Sequence, residues 1–350
     1  MEQIEIGELR DDEMLIRITG VGVCHTDLIC RDQVYPVPLP VVLGHEGSGI
    51  VEQVGKAVTR FAPGDAVVLS YRSCGNCINC KRGEPAHCLE IFQRNFGGGR
   101  EDGTTPISQN GQPVHGCFFS QSSFSEYAIA HESNAVKVPS DVNVPLELLG
   151  PLGCGIQSGA GAVINSLNPR VASSLVVFGC GSVGVAAVIA ARLVGCRTII
   201  AVDPKRERRE LAMELGATHS LDPVDTDPVA NIQEITIYGA DYSLECTGLP
   251  HVFRHSVDCL AVNGTCGLIG AAPPGTEVTF DMNSIMFGRK VMGIIEGDSV
   301  PDVFIPELIH LFDQGLFPLD KLITTYPLDE IERAVADMES GKVLKPVLIP

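Results

Sequence analysis

Apolar runs and their breaks repeat one pattern through the second half of the chain. Ser174 to Phe178 is a short apolar run closed by Gly179, suited to a strand buried on both faces of a parallel sheet. Val185 to Val194 has the length and composition of a helix, and Gly195 stops it. Thr198 to Asp203 reads as the next strand, and Lys205 to Leu215 as an amphipathic helix with a charged first turn. Further strands are expected at Tyr242–Thr247, Thr265–Gly270 and Lys290–Ile295. Strand alternating with helix implies an α/β fold built on a doubly wound parallel sheet.

The first half reads differently. Its strands, Met14–Ile18, Gly49–Val54 and Ala66–Leu69, are short and punctuated by Gly and Pro, which suggests an irregular β domain. A length of 350 residues fits two domains. The uncharged stretch Leu175–Ala191 could imitate a membrane span, but Gly179, Gly181 and Gly184 inside it belong to a strand–turn–helix unit.

Those glycines carry chemistry. In Gly179-Cys-Gly-Ser182-Val183-Gly184 the first glycine permits a tight turn, and Gly181 lets backbone approach a pyrophosphate. Gly184 lets helix pack on strand. The helix start at Ser182 and Val183 offers free N–H groups and a positive dipole end to phosphates. Asp203, 19 residues beyond Gly184, can accept from both hydroxyls of a ribose and would repel a 2′-phosphate. Strand before, helix after and acid at the next strand end together point to a Rossmann dinucleotide site. Arg208 could flank an adenosine ribose or a 2′-phosphate; Asp203 tips the balance to NAD.

Net charge narrows the partners. At −18 the surface repels phosphate backbones, so neither nucleic acid nor an anionic membrane is an expected partner. The 13 cysteines, with no basic and apolar leader at Met1–Ile6, suggest a reducing, cytoplasmic location.

Four of these cysteines, Cys74, Cys77, Cys80 and Cys88, lie inside about 73–89. Two steps of two intervening residues place three sulfurs on tight turns, and a short loop brings the fourth. An iron–sulfur cluster usually has a shorter last spacing than the seven residues between Cys80 and Cys88. The pattern fits a structural zinc with four protein ligands and no open position.

Cys24, His45 and Cys154 also stand out as possible ligands. Taken singly, the two cysteines read as buried thiols and the histidine as a core residue. Order and content of the motifs alter that reading. The chain resembles the zinc-dependent medium-chain alcohol dehydrogenases in Gly44-His-Glu-Gly-Ser-Gly-Ile-Val-Glu-Gln-Val-Gly55, Pro63-Gly-Asp65, the four-cysteine lobe, Gly179–Gly184 and Lys342-Val-Leu-Lys-Pro-Val347. Within that family it is most similar to aryl-alcohol (benzyl alcohol) and geraniol-type dehydrogenases. The stretches Tyr35–Pro40, Phe118–Phe124, Glu147–Gln157 and Glu296–Ser299 carry that likeness.

The resemblance implies a GroES-like catalytic domain at 1–155 and 296–350, with a Rossmann domain at 156–295. It implies two Zn²⁺ per chain, NAD, and a small alcohol or aldehyde as substrate. Cys24, His45 and Cys154 then bind the catalytic zinc, with Glu46 behind the metal and Asp27 holding the second ring nitrogen of His45. Thr26 takes the alcohol proton. His25 stands where some members have an arginine on the pyrophosphate, Ile29 where many have a relay histidine, and Lys345 matches a basic cofactor contact, with a surface lysine an equal reading. Phe118 and Phe119 match a substrate-pocket wall that Ile295 closes, although plain core is an equal reading of both phenylalanines. Relatives usually carry an extra strand before the segment matching Glu2–Ile6; either the sequence starts late or an edge is left uncovered here. The edge strand at Lys290–Ile295 suggests a homodimer or homotetramer.

Overall fold

The protein is described by a computed structural model covering residues 1–350. It divides into two compact units, Met1–Gly155 with Val300–Pro350, and Ile156–Ser299.

In the first unit a seven-stranded sheet is organised around Glu13–Gly22, which pairs antiparallel with Glu46–Val54, with Tyr127–His131 and with the C-terminal strand Lys345–Ile349. Met14, Ile16 and Ile18 alternate inward along that strand and are buried with Val51, Val67, Leu69 and Leu348. The sequence expected three short strands here. It missed the helix Ile331–Ser340, whose Ala334 joins the same core.

The second unit is a six-stranded, all-parallel sheet. Its spatial order is His219–Leu221, Thr198–Val202, Ser174–Phe178, Ala240–Glu245, Leu260–Leu268 and Lys290–Gly293. Numbered along the chain this is 3-2-1-4-5-6, the doubly wound order with its switch point beside Ser174–Phe178. Leu175, Val176, Val177 and Phe178 are all buried, which explains their unbroken apolar run. The edge strand His219–Leu221 escaped sequence reading because its first two residues are polar and exposed.

Several expected boundaries move: the strand expected at Tyr242–Thr247 spans Ala240–Glu245, and that expected at Thr265–Gly270 spans Leu260–Leu268. The strand expected at Lys290–Ile295 ends at Gly293. The chain leaves the second unit at Ser299 and not at 295. Gly297, at φ +63°, turns its backbone against Gly161, where an added Cβ would meet the Gly297 carbonyl oxygen at 2.4 Å. Ser166 Oγ donates to Asp298 at 2.7 Å and Ser299 Oγ to Gln157 Oε1 at 2.9 Å, so Glu296–Ser299 stays with the second unit.

Candidate functional site: a metal centre and a nucleotide cavity

Cys24, His45, Glu46 and Cys154 converge in the first unit, with one ligand atom of each within 4.8 Å of every other. Cys24 caps the helix His25–Arg31, and the side chain of Asp27 accepts from the Cys24 backbone N–H at 3.0 Å. The other Asp27 oxygen accepts from Gly44 N at 3.0 Å and from His45 Nδ1 at 2.9 Å. That bond places the ring proton on Nδ1 and leaves a lone pair on Nε2. Nε2 is buried and has no hydrogen-bond partner. A buried acceptor left unmatched is costly, and a cation on Nε2 would satisfy it.

Charge points the same way. The hydrogen bond from Cys154, helped by Lys345 and His45, holds the Cys24 thiol well below its usual range in spite of burial. Burial opposes charge on His45, yet the Asp27 carboxylate and the Cys24 sulfur hold its pKa well above the ordinary value, so the ring attracts positive charge at Nε2, which a proton takes when no metal is bound and a cation would take in its place. The centre thus favours anionic sulfur with positive charge between the ligands. Two sulfurs and an imidazole nitrogen suit zinc and leave a fourth position open.

Burial pushes Glu46 up to about 7, against the pull of Lys345. Lys345 was expected at the cofactor; the structure corrects this. Its Nζ is buried and donates to Glu46 Oε1 at 2.9 Å, Glu46 Oε2 at 2.8 Å and the Val23 carbonyl at 3.1 Å. An ammonium has three N–H donors, and these contacts use all of them, so none remains for a phosphate. Glu46 Oε1 also accepts from Gly155 N at 3.0 Å.

Thr26 Oγ1 lies 3.8 Å from Cys24 Sγ, and His25 beside it is exposed. Phe118 and Phe119 are buried against His45: the Phe119 ring stacks on the imidazole at 4.4 Å and Phe118 meets it edge-on at 5.6 Å. They wall the ligand itself, with Phe96 packed on both. Ile295 belongs to the second unit and is 42% exposed.

The four cysteines of the lobe also converge, their sulfurs within 4.8 Å of one another. Backbone N–H groups of Cys74 and Cys77 point at the sulfurs of Cys88 and Cys74, each at 3.2 Å. The N–H of Cys80 aimed at its sulfur holds Cys77 down to about 6, whereas burial pushes Cys80 up to about 12. The Cys77 thiolate forms readily, whereas burial keeps the protons on Cys80 and Cys88 until a cation compensates them.

In the second unit a cavity of about 470 Å³ opens at the C-terminal ends of the parallel strands. Gly179, at φ +89°, makes the turn below it. A Cβ on Gly184 would sit 1.9 Å from the Gly179 carbonyl oxygen, whereas one on Gly181 would meet nothing within 4 Å. The open side of Gly181 is where a pyrophosphate can approach the N-terminus of the helix Ser182–Leu193. Asp203 lines the cavity, fixed by the Cys180 and Lys205 N–H groups at 2.8 Å each. Arg208 NH1 stands 3.9 Å from Asp203, and its buried Nε has no partner.

Sequence reading missed Thr247, Leu249 and His251, which also line the cavity. They follow the fourth strand in sheet order, Ala240–Glu245, and a signal existed in Thr247-Gly-Leu-Pro250, a turn at a strand's C-terminal end. It also missed Gln121, a buried amide on the backbone of His45.

Residues 10–140 match the alcohol dehydrogenase GroES-like domain, and residues 182–314 match the zinc-binding dehydrogenase family. The chain is 49% identical over 352 residues to geraniol dehydrogenase of Castellaniella defragrans, covering 100% of this chain and 94% of that protein. The chain belongs to the zinc-binding, GroES-like alcohol dehydrogenases. Among solved structures, the benzyl alcohol dehydrogenase of Acinetobacter calcoaceticus superposes with a TM-score of 0.95 at 48% identity, covering 99% of this chain and 94% of that one. An alcohol dehydrogenase zinc-binding domain protein from Burkholderia ambifaria gives 0.97 at 54%, covering 100% and 95%. This alcohol dehydrogenase is thus an oxidoreductase that uses zinc and a nicotinamide cofactor. None of its helices is long and apolar enough to cross a membrane.

Proposed function

We propose that this alcohol dehydrogenase interconverts primary aryl or allylic alcohols and their aldehydes, with NAD as hydride acceptor. The observation that carries the reading is the buried, unpartnered Nε2 of His45 facing two cysteines within 4.8 Å. Cys24, His45 and Cys154 would hold the zinc, which when bound would supply the Lewis acidity that lowers an alcohol's pKa towards neutral pH. Asp27 fixes the tautomer of His45. Thr26 Oγ1, beside Cys24, receives the alcohol proton and passes it towards solvent, since Ile29 cannot relay it. Asp203 takes the ribose hydroxyls, which favours NAD over a 2′-phosphorylated cofactor. Likeness to a geraniol and a benzyl alcohol dehydrogenase, with Phe118 and Phe119 against His45, supports an apolar unsaturated substrate.

A second zinc belongs on Cys74, Cys77, Cys80 and Cys88, where it contributes folding free energy. The outer strand Lys290–Gly293, with Val291 42% exposed, supports a homodimer or dimer of dimers, and thirteen cysteines without a disulfide among them fit the cytoplasm. A panel of benzyl, allylic and short linear alcohols with NAD and zinc-loaded enzyme tests the substrate class. Higher kcat/KM for the linear alcohols would refute it.

A further inference from the structure

His45 and Cys154 lie far apart in the chain, and two buried side chains in series, Gln121 and Ser70, link their backbones. Gln121 is wholly buried. Its Nε2 donates to the His45 carbonyl at 2.9 Å and reaches the Ser70 carbonyl at 3.4 Å. Its Oε1 accepts from Gly47 N at 3.1 Å and from Ser123 Oγ at 2.9 Å. Ser70 Oγ in turn donates to the carbonyl of Gly153 at 2.7 Å, the residue before Cys154. The amide therefore spans from the residue carrying one ligand to the strand end that holds the other.

The loop bearing Gln121 is bent to bring it there. Phe119, Ser120 and Ser122 have φ of +49°, +54° and +46°, a backbone region that non-glycine residues adopt at a cost. All three are buried, and Phe119 stacks on the His45 ring at 4.4 Å. Space is tight on the facing strand as well: a Cβ on Gly47 would come within 3.1 Å of Gln121 Oε1. A leucine or methionine would fill the same volume, so packing alone does not call for an amide with both ends bonded to backbone or hydroxyl.

We infer that Gln121 is a positioning residue for the catalytic metal, setting the spacing of His45 and Cys154 and hence the affinity of their site. This rests on reading Cys24, His45 and Cys154 as the zinc ligands. A glutamine with only a structural role would alter stability without distinguishing one zinc from the other.

The test uses full-length, zinc-loaded enzyme and a chromophoric chelator that resolves metal release from the two sites. In Gln121→Met, release of one zinc should accelerate about tenfold or more, as removal of a supporting hydrogen bond does at other metal centres. The zinc on Cys74, Cys77, Cys80 and Cys88 should leave at the wild-type rate and serves as internal control. Ser70→Ala, which removes the hydroxyl that donates to Gly153, should shift the same phase in the same direction. It decides the question by the same criteria if Gln121→Met does not fold. Wild-type release rates for both zincs, or equal acceleration of both, would overturn the role of Gln121. Fewer than two zincs in the wild type would instead overturn the ligand assignment beneath it.

Discussion

Replacing Lys345 by methionine separates two roles for this lysine. Methionine nearly matches its length and apolar volume, so the change removes chiefly the charge and the three donors. Glu46, fully buried, would lose contacts of 2.9 Å and 2.8 Å and keep the 3.0 Å bond from Gly155 N. Breaking a buried ion pair from one side costs up to about 3–5 kcal/mol when the remaining charge is stranded, and Glu46, already at about 7 beside Lys345, escapes part of that cost by taking up a proton unless the assay is run well above neutral pH. With a urea dependence of roughly 2–3 kcal/mol/M, the unfolding midpoint of the zinc-loaded enzyme at such pH should fall by roughly 1–2 M. The double variant Glu46→Gln with Lys345→Met removes the stranded charge and should recover most of the loss. The assay is urea unfolding followed by circular dichroism, run beside the KM for NAD. If the midpoint moves by less than about 0.3 M, a stability change under about 1 kcal/mol, while the NAD KM rises tenfold, Lys345 acts as a cofactor contact and the ion-pair account is wrong.

Asp27→Asn should weaken zinc at the catalytic centre by about 10–100-fold, because the amide cannot accept both from His45 Nδ1 and from the Gly44 and Cys24 N–H groups; unchanged affinity in chelator competition would contradict this. Cys154→Ala should abolish turnover in a folded chain, whereas Cys77→Ala should mainly lower the melting temperature; equal loss of folding in both would refute two separable sites. Asp203→Ser should raise kcat/KM with NADP relative to NAD, since it removes a carboxylate beside Arg208; an unchanged ratio would place selectivity elsewhere.

Much of this was legible in the sequence, for local reasons. The strand at Ser174–Phe178 and the turn at Gly179 declare themselves because burial on both faces and a positive φ leave few residue choices. The four cysteines of the lobe share one short segment, so their spacing already contains the geometry. Cys24, His45 and Cys154 do not, and only the resemblance pointed to them together. Lys345 shows the limit of a motif match: its position was legible, but its partner Glu46 is set by pairing of the strand Lys345–Ile349 with Glu13–Gly22, and of that with Glu46–Val54. Gln121 was illegible for a related reason. A glutamine among serines reads as solvated loop until the fold encloses it.

The central claim is that zinc on Cys24, His45 and Cys154 supports hydride transfer from an aryl or allylic alcohol to NAD. Its most direct test follows absorbance at the reduced-nicotinamide band with benzyl alcohol and NAD, comparing zinc-loaded wild type with Cys154→Ala of verified fold. The account predicts steady NADH formation by the wild type and none by the variant. Equal rates in the two proteins, or no alcohol of the panel reducing NAD in wild type holding two zincs, would contradict it.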